Sequence, residues 1–171
     1  MTTLHRPAVP GASEAMTVDG GIVAIRPIRS GDRRAISALY AGASPENLRL
    51  RFSGRPGSAA PAAEVERLCR PESDRFLALL AFDGDRLVGV ASCERGGDGP
   101  SAEFAVFLAD HDHGRGIGTL LLDRLRARGR RLGVTEFVGE ASRGDRGRPR
   151  EGLPAGSDGV AGHGGGRPGP G

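Results

Sequence analysis

The run Phe76-Leu77-Ala78-Leu79-Leu80-Ala81-Phe82 is apolar at every position, so an extended chain there presents apolar surface on both of its alternating faces. Such a strand belongs at the centre of a sheet covered on either side. Asp83-Gly84-Asp85 follows as a tight turn, and Leu87 to Glu94 returns as the antiparallel partner. The other segments pack around this hairpin. Ile22 to Arg29 reads as a strand, with Pro27 favouring an edge position because it has no N–H to give a ladder. Ser30 is placed to cap a helix running to about Ala41, with Ile36, Leu39 and Tyr40 on one face. Ser44-Pro45-Glu46 opens a second helix through Phe52, residues 53–61 form a loop, and a third helix covers Ala62 to Arg70 until Pro71 stops it. Ala102 to Leu108 is a strand, Gly116 to Arg128 an amphipathic helix and Val134 to Val138 a last strand.

With 171 residues the chain has room for one domain, which these elements place at 21–140. Residues 1–20 are polar, Pro-containing and aperiodic, and read as a disordered leader. From Ala141 to Gly171 the chain is mostly Gly, Arg, Pro and Ala with no aromatic residue, and cannot bury enough apolar surface to offset chain entropy. That tail is expected to be disordered. All 24 basic residues are arginine, a pattern of GC-rich coding, and 21 acids nearly balance them, so no nucleic-acid footprint is expected. The start has no continuous apolar stretch of the kind a signal peptide needs, and Phe76 to Phe82 is too short to span a bilayer. Cys69 and Cys93 show no paired spacing and read as two reduced, buried thiols. The expectation is a soluble cytoplasmic protein with no membrane or nucleic-acid partner.

Chemistry concentrates after the strand Ala102 to Leu108. The loop Ala109 to Asp112 runs into His113-Gly114-Arg115-Gly116-Ile117-Gly118-Thr119, which opens the next helix. A strand emptying through glycines into a helix gathers main-chain N–H groups and the positive end of the helix dipole at one spot, an anion cradle. A Walker loop requires a lysine, and the chain has none. The dinucleotide fingerprint fails as well, because Gly114, Gly116 and Gly118 are spaced G-x-G-x-G. A glycine-softened turn into a core helix is the bland alternative. Asp110-His111-Asp112-His113 reads as a solvated loop, so no metal is expected. Arg124, Arg126, Arg128, Arg130 and Arg131 read as a solvated helix end.

The run H-G-R-G-I-G-T resembles the acetyl-CoA motif [QR]-x-x-G-x-[GA] of the GCN5-related N-acetyltransferases (GNAT), with Gly116 and Gly118 as its two small residues and His113 where Gln or Arg is usual. The segments I-R-P-I-R-x-x-D, S-P-E-x-x-x-x-R-F, F-D-G-D-R-L-V-G-V and A-E-F-A-V resemble the acetyltransferase domain of bacterial protein lysine acetyltransferases. The likeness covers about residues 22–140.

The resemblance implies an α/β fold with a mixed, mostly antiparallel sheet flanked by helices. It implies acetyl transfer from acetyl-CoA, as cosubstrate and without a metal, to an amine such as a protein lysine. Pantetheine would pair with the main chain of Val106, Phe107 and Leu108, and the diphosphate would sit on His113, Gly114, Arg115, Gly116, Ile117, Gly118 and Thr119. Glu103 matches the glutamate that takes the proton from the amine, and its neighbours Ala102, Phe104 and Ala105 are expected to raise its pKa by desolvation. Arg51 and Phe52 are assigned to the acceptor side. The family's final third brings another helix and strand, an Asn and often a Tyr. This chain has no Asn after Asn47 and no Tyr after Tyr40, so the resemblance implies a C-terminally incomplete domain with impaired turnover. A noncatalytic acyl-CoA-binding or regulatory remnant is the alternative.

Overall fold

The computed structural model describes residues 11–52 and 61–141, and the apolar hairpin lies at its centre. Strands β1 (Ser13–Met16), β2 (Ile22–Pro27), β3 (Phe76–Asp83), β4 (Arg86–Glu94), β5 (Ser101–Leu108) and β6 (Glu136–Ala141) form one sheet in sequence order. The first four pairings are antiparallel, and β5–β6 is parallel. Helices α1 (Arg33–Ala41), α2 (Pro45–Phe52) and α3 (Pro61–Leu68) lie between β2 and β3 in the chain, and α4 (Ile117–Arg131) makes the crossover from β5 to β6. The expected α/β class, with a mixed and mostly antiparallel sheet between helices, is what the chain adopts.

Side-chain alternation divides the core in two. Val23, Leu77, Leu79, Ala91, Phe104, Val106 and Leu108 face α4, packing on its Ile117, Leu121 and Leu125. Leu80, Val90 and Phe107 face the other way, against Ile36, Leu39 and Tyr40 of α1 and Val65 and Leu68 of α3. From Phe76 to Ala81 every residue of β3 is buried. Its double-sided apolar run therefore does what the sequence required.

Beyond shifts of one to three residues at the ends of α3, α4 and β5, four expectations differ from the structure. Order does not wait until Ile22: Ser13–Met16 pairs with β2, so the disordered leader is corrected for these residues, while residues 1–10 lie outside the described ones. The strand is short and mostly exposed, so it carries no apolar alternation to read. β2 is consequently not an edge strand, yet Pro27 is tolerated. Ile28 N–H donates to Ala78 O of β3, which turns the Pro27 nitrogen toward the β1 side, past the end of the β1 pairing at Ser13–Ile25. Ser30 does not cap α1. Residues Ser30–Asp32 form a 3-10 turn, and buried Asp32 accepts from the Arg29 N–H and, at 2.7 Å, from both Arg26 guanidinium nitrogens. The last strand lies two residues later than expected at its start and continues to Ala141, the first residue assigned to the tail. The tail from residue 142 and the loop at 53–60 lie outside the described residues.

Candidate functional site

β5 ends at Leu108, and the chain passes through a 3-10 turn at Asp110–Asp112 to His113 and the glycines. Gly114 and Gly116 both have left-handed backbones, with φ of 75° and 77°. Gly116 is the N-cap of α4, and a Cβ there would stand 3.1 Å from Val18 Cγ1. The first helical bond runs from Leu120 N–H to Gly116 O, so the amides of Ile117, Gly118 and Thr119 lie ahead of the ladder, at the positive end of the dipole. This is the backbone geometry expected of an anion cradle, with a buried Ile117 anchoring its helix.

The parity of the β4–β5 ladder fixes which strand groups face the cradle. Ala109 N–H donates to Val88 O, so Phe107 and Ala105 direct their main chains to β4, whereas Val106 and Leu108 direct theirs toward the β6 side. Among the described residues, β6 pairing reaches Val106, opposite Ala141, and Leu108 lies beyond it. Of the three residues expected to pair with pantetheine, Phe107 turns its main chain the other way. Its main chain belongs to the β4 ladder, and its ring packs on Tyr40 with centroids 4.5 Å apart.

Asn47 and Asp110 join this end of β5 to α2. Asn47 Nδ2 donates to Leu108 O at 2.9 Å and to Asp110 Oδ1 at 2.7 Å, while Asp110 Oδ2 accepts from Ser44 N–H at 2.7 Å. Ser44 caps α2, its Oγ accepting from Asn47 N–H. His113 turns its Nε2 toward the same Asn47 amide, 3.5 Å away. Asp112, 1% exposed, points elsewhere, to Arg86 and Arg115. The Asp-His-Asp-His run therefore diverges, and no group of metal-ligating side chains converges among the described residues.

Glu103 projects from β5 on the face shared with Ala105 and Phe107, toward α1 and α3. It is exposed, so the chain by itself does not supply the burial from which a desolvated base was expected. Beside it lies a crevice bounded by Tyr40, Arg51, Glu64, Ser92 and Ala105. Glu64 accepts from Arg51 Nη2 at 2.6 Å and from Arg67 at 2.8 Å, and Arg67 continues to Ser92 Oγ and to Glu94, the residue directly opposite Glu103 across the ladder. Burial alone would raise the Glu64 carboxyl, but the Arg67 and Arg51 guanidiniums outweigh it and hold the group below the usual carboxylate range. The Tyr40 hydroxyl is buried beside Arg51, and burial, reinforced by Glu64, pushes its pKa up. It stays a neutral phenol.

The sequence profile of the acetyltransferase (GNAT) family matches residues 43–146, which span α2 through β6 and include the cradle. The chain is also 33% identical, over 135 residues, to an acetyltransferase of Pseudomonas aeruginosa, a match covering 75% of this chain and 70% of that protein. This chain belongs to the GNAT family. Its members are acetyltransferases, and acyl transfer from acetyl-CoA is the family's general chemistry. Among solved structures, the GNAT domain of PAT from S. lividans superposes with a TM-score of 0.68 at 24% identity, covering 78% of this chain and 80% of that one. The PaiA N-acetyltransferase of Thermoplasma acidophilum, solved in complex with coenzyme A, gives a TM-score of 0.50 at 16% identity, with 66% and 74% covered. Both likenesses concern the fold.

For this GNAT chain, the glycine loop and Glu103 stood out by motif and spacing, and Arg51 lines the crevice with Tyr40, Glu64 and Ala105. Asn47, Glu64, Arg67 and Glu94 were missed, because their partners lie in other elements. Asn47, directly after S-P-E, and the helical spacing of Glu64 and Arg67 were visible, but nothing local says that they face β4 and β5. The arginines of α4 are less solvated than expected: Arg124 donates to the Ser13 and Glu14 carbonyls, and Arg128 pairs with Glu72 at 2.8 Å. Cys93 is buried and its thiol is pushed up to about 11 by burial, while Cys69 is half-buried. No helix among the described residues is long and apolar enough to cross a membrane.

Proposed function

We propose that this chain transfers the acetyl group of acetyl-CoA to an amine, a protein lysine being the acceptor class favoured by the resemblance to bacterial protein lysine acetyltransferases. The observation that carries the reading is the junction of β5 with α4. Two left-handed glycines, Gly114 and Gly116, bring main-chain amides to a helix N-terminus next to a strand whose Leu108 lies past the described end of β6 pairing. The diphosphate of the donor rests on the amides from Gly114 to Thr119, and the pantetheine arm follows the Val106 and Leu108 side of β5. Asn47 holds the Leu108 carbonyl, which leaves its N–H as the donor for the arm.

A lysine amine has a pKa near ~10.4 and enters protonated. Glu103 takes its proton, the nitrogen lone pair attacks the thioester carbonyl carbon, and a main-chain N–H of β5 holds the developing oxyanion. The attacking nitrogen gives up its second proton to solvent as the carbon–sulfur bond breaks, and the coenzyme A thiolate leaves, to be protonated from solvent. Because Glu103 is exposed in the unliganded chain, donor and acceptor must themselves cover it before it can act as a base in low dielectric. The same exposure favours, as a second reading, a chain that binds acyl-CoA without turning it over. Two free thiols fit a reducing cytoplasm.

Thiol release with a lysine peptide, measured beside calorimetric titration with acetyl-CoA, tests the reading. Glu103→Gln is expected to leave donor binding intact and to lower kcat by about 10²–10⁴. Donor binding with no release in the wild type selects the second reading, and a wild type that binds no acetyl-CoA ends both.

A further inference from the structure

The glycine loop is held in place from outside. Asp112 accepts from Arg86 at 2.6 and 3.1 Å and from Arg115 Nη1 at 2.6 Å. The same Arg115 guanidinium donates to Asp83 Oδ2 at 2.9 Å in the β3–β4 turn and, through Nε, to Asp19 Oδ2 at 2.8 Å in the β1–β2 turn. Val18 N–H adds a main-chain bond to Arg115 O at 3.1 Å. Gly21 leaves room for the guanidinium, since a Cβ there would stand 2.8 Å from Nη2. Three turns far apart in the chain thus meet on one side chain.

We propose that Arg115 and Asp112 are positioning residues for the diphosphate cradle, acting through the shape of the glycine-loop main chain and not as charges offered to the ligand. The inference rests on the functional reading above. Arg115 already faces the three carboxylates of Asp19, Asp83 and Asp112, so it has little to give a phosphate. Counted with Arg86, the cluster holds two cations against three anions, and its net field opposes a diphosphate. Whatever it contributes to binding must therefore be geometric: it fixes the backbone on both sides of Gly114 and just ahead of Gly116, where the amides converge.

This separation of field from shape gives opposite signs in one experiment. Asp112→Asn keeps the side-chain outline and removes a negative charge, so electrostatics alone tightens acetyl-CoA. Positioning instead weakens it, by about tenfold. Acetylpantetheine lacks the diphosphate and is expected to bind wild type and variant alike. Asp83→Asn removes a half-exposed outer carboxylate, leaves Asp112 in place for folding, and is expected to weaken acetyl-CoA about threefold. Calorimetric titration of both donors reads the outcome, with thermal melts confirming that the variants are folded. Folded variants that bind acetyl-CoA as tightly as the wild type or tighter, or that lose both donors equally, overturn the inference while the functional reading stands. A wild type that binds no acetyl-CoA defeats the functional reading, and the inference with it.

Discussion

Gly116 meets two demands at once: its φ of 77° lies where a Cβ is strained, and the space above it is filled by Val18. Gly116→Ala is expected to cost about 1–2 kcal/mol in urea unfolding from the left-handed backbone alone, and to weaken acetyl-CoA in calorimetric titration because the cradle distorts. Unchanged affinity in a folded variant would show that the amides there do not hold the donor. At this scale the sequence was informative wherever a residue type is demanded by backbone geometry. Gly114 and Gly116 were readable because few other residues take those angles. The orientation of Phe107 was not readable because a strand residue's type does not say to which neighbour its N–H points. That is set by ladder parity, fixed here by the Ala109 to Val88 bond.

Among elements, α3 carries the most consequential polar packing. Glu64 is buried between Arg51 of α2 and Arg67 of its own helix, and Arg67 reaches Glu94 on β4. Glu64→Ala takes the shared carboxylate from Arg51 and Arg67, leaving Arg67 only its half-exposed partner Glu94, and is expected to cost about 3 kcal/mol in chemical denaturation. Glu64, Asp32 and Asp112 are all held below their usual carboxyl range: burial pushes each up, and neighbouring arginines pull it down further. The unfolded chain takes up these protons at a higher pH than the folded one. Their stabilisation is therefore complete above the unfolded carboxyl range, near ~4, and is lost as pH falls through the lower folded values. Melting temperatures measured downward from pH 6 are expected to fall below about pH 4.5, and a curve that stays flat there would contradict the assignment. The helices themselves were legible from caps and periodicity, as Ser44-Pro45 at α2 illustrates. Their facing partners were not, because Glu64 and Glu94 are neighbours only across the core.

For the whole molecule, stability is centred on β3 and β4, whose amides are flanked by strands and covered by α1, α3 and α4. Native-state hydrogen exchange is expected to be slowest at Leu79, Leu80, Val90 and Ala91 and fastest at β1 and β6, the two outer strands. Equal protection at β6 would mean that its outer edge is covered. The sequence by itself determined the central hairpin, the order of strands and helices from Ile22 onward and the glycine cradle, because each depends on local periodicity or on a backbone angle few residues can take. Only the tertiary structure decided that Ser13–Met16 joins the sheet, that Pro27 sits past the end of its neighbour, and that Arg115 ties the β1–β2 and β3–β4 turns to the glycine loop. Those arrangements depend on charges and hydrogen bonds between residues up to about a hundred positions apart, and no local pattern in a chain encodes which distant partner will be brought within 3 Å.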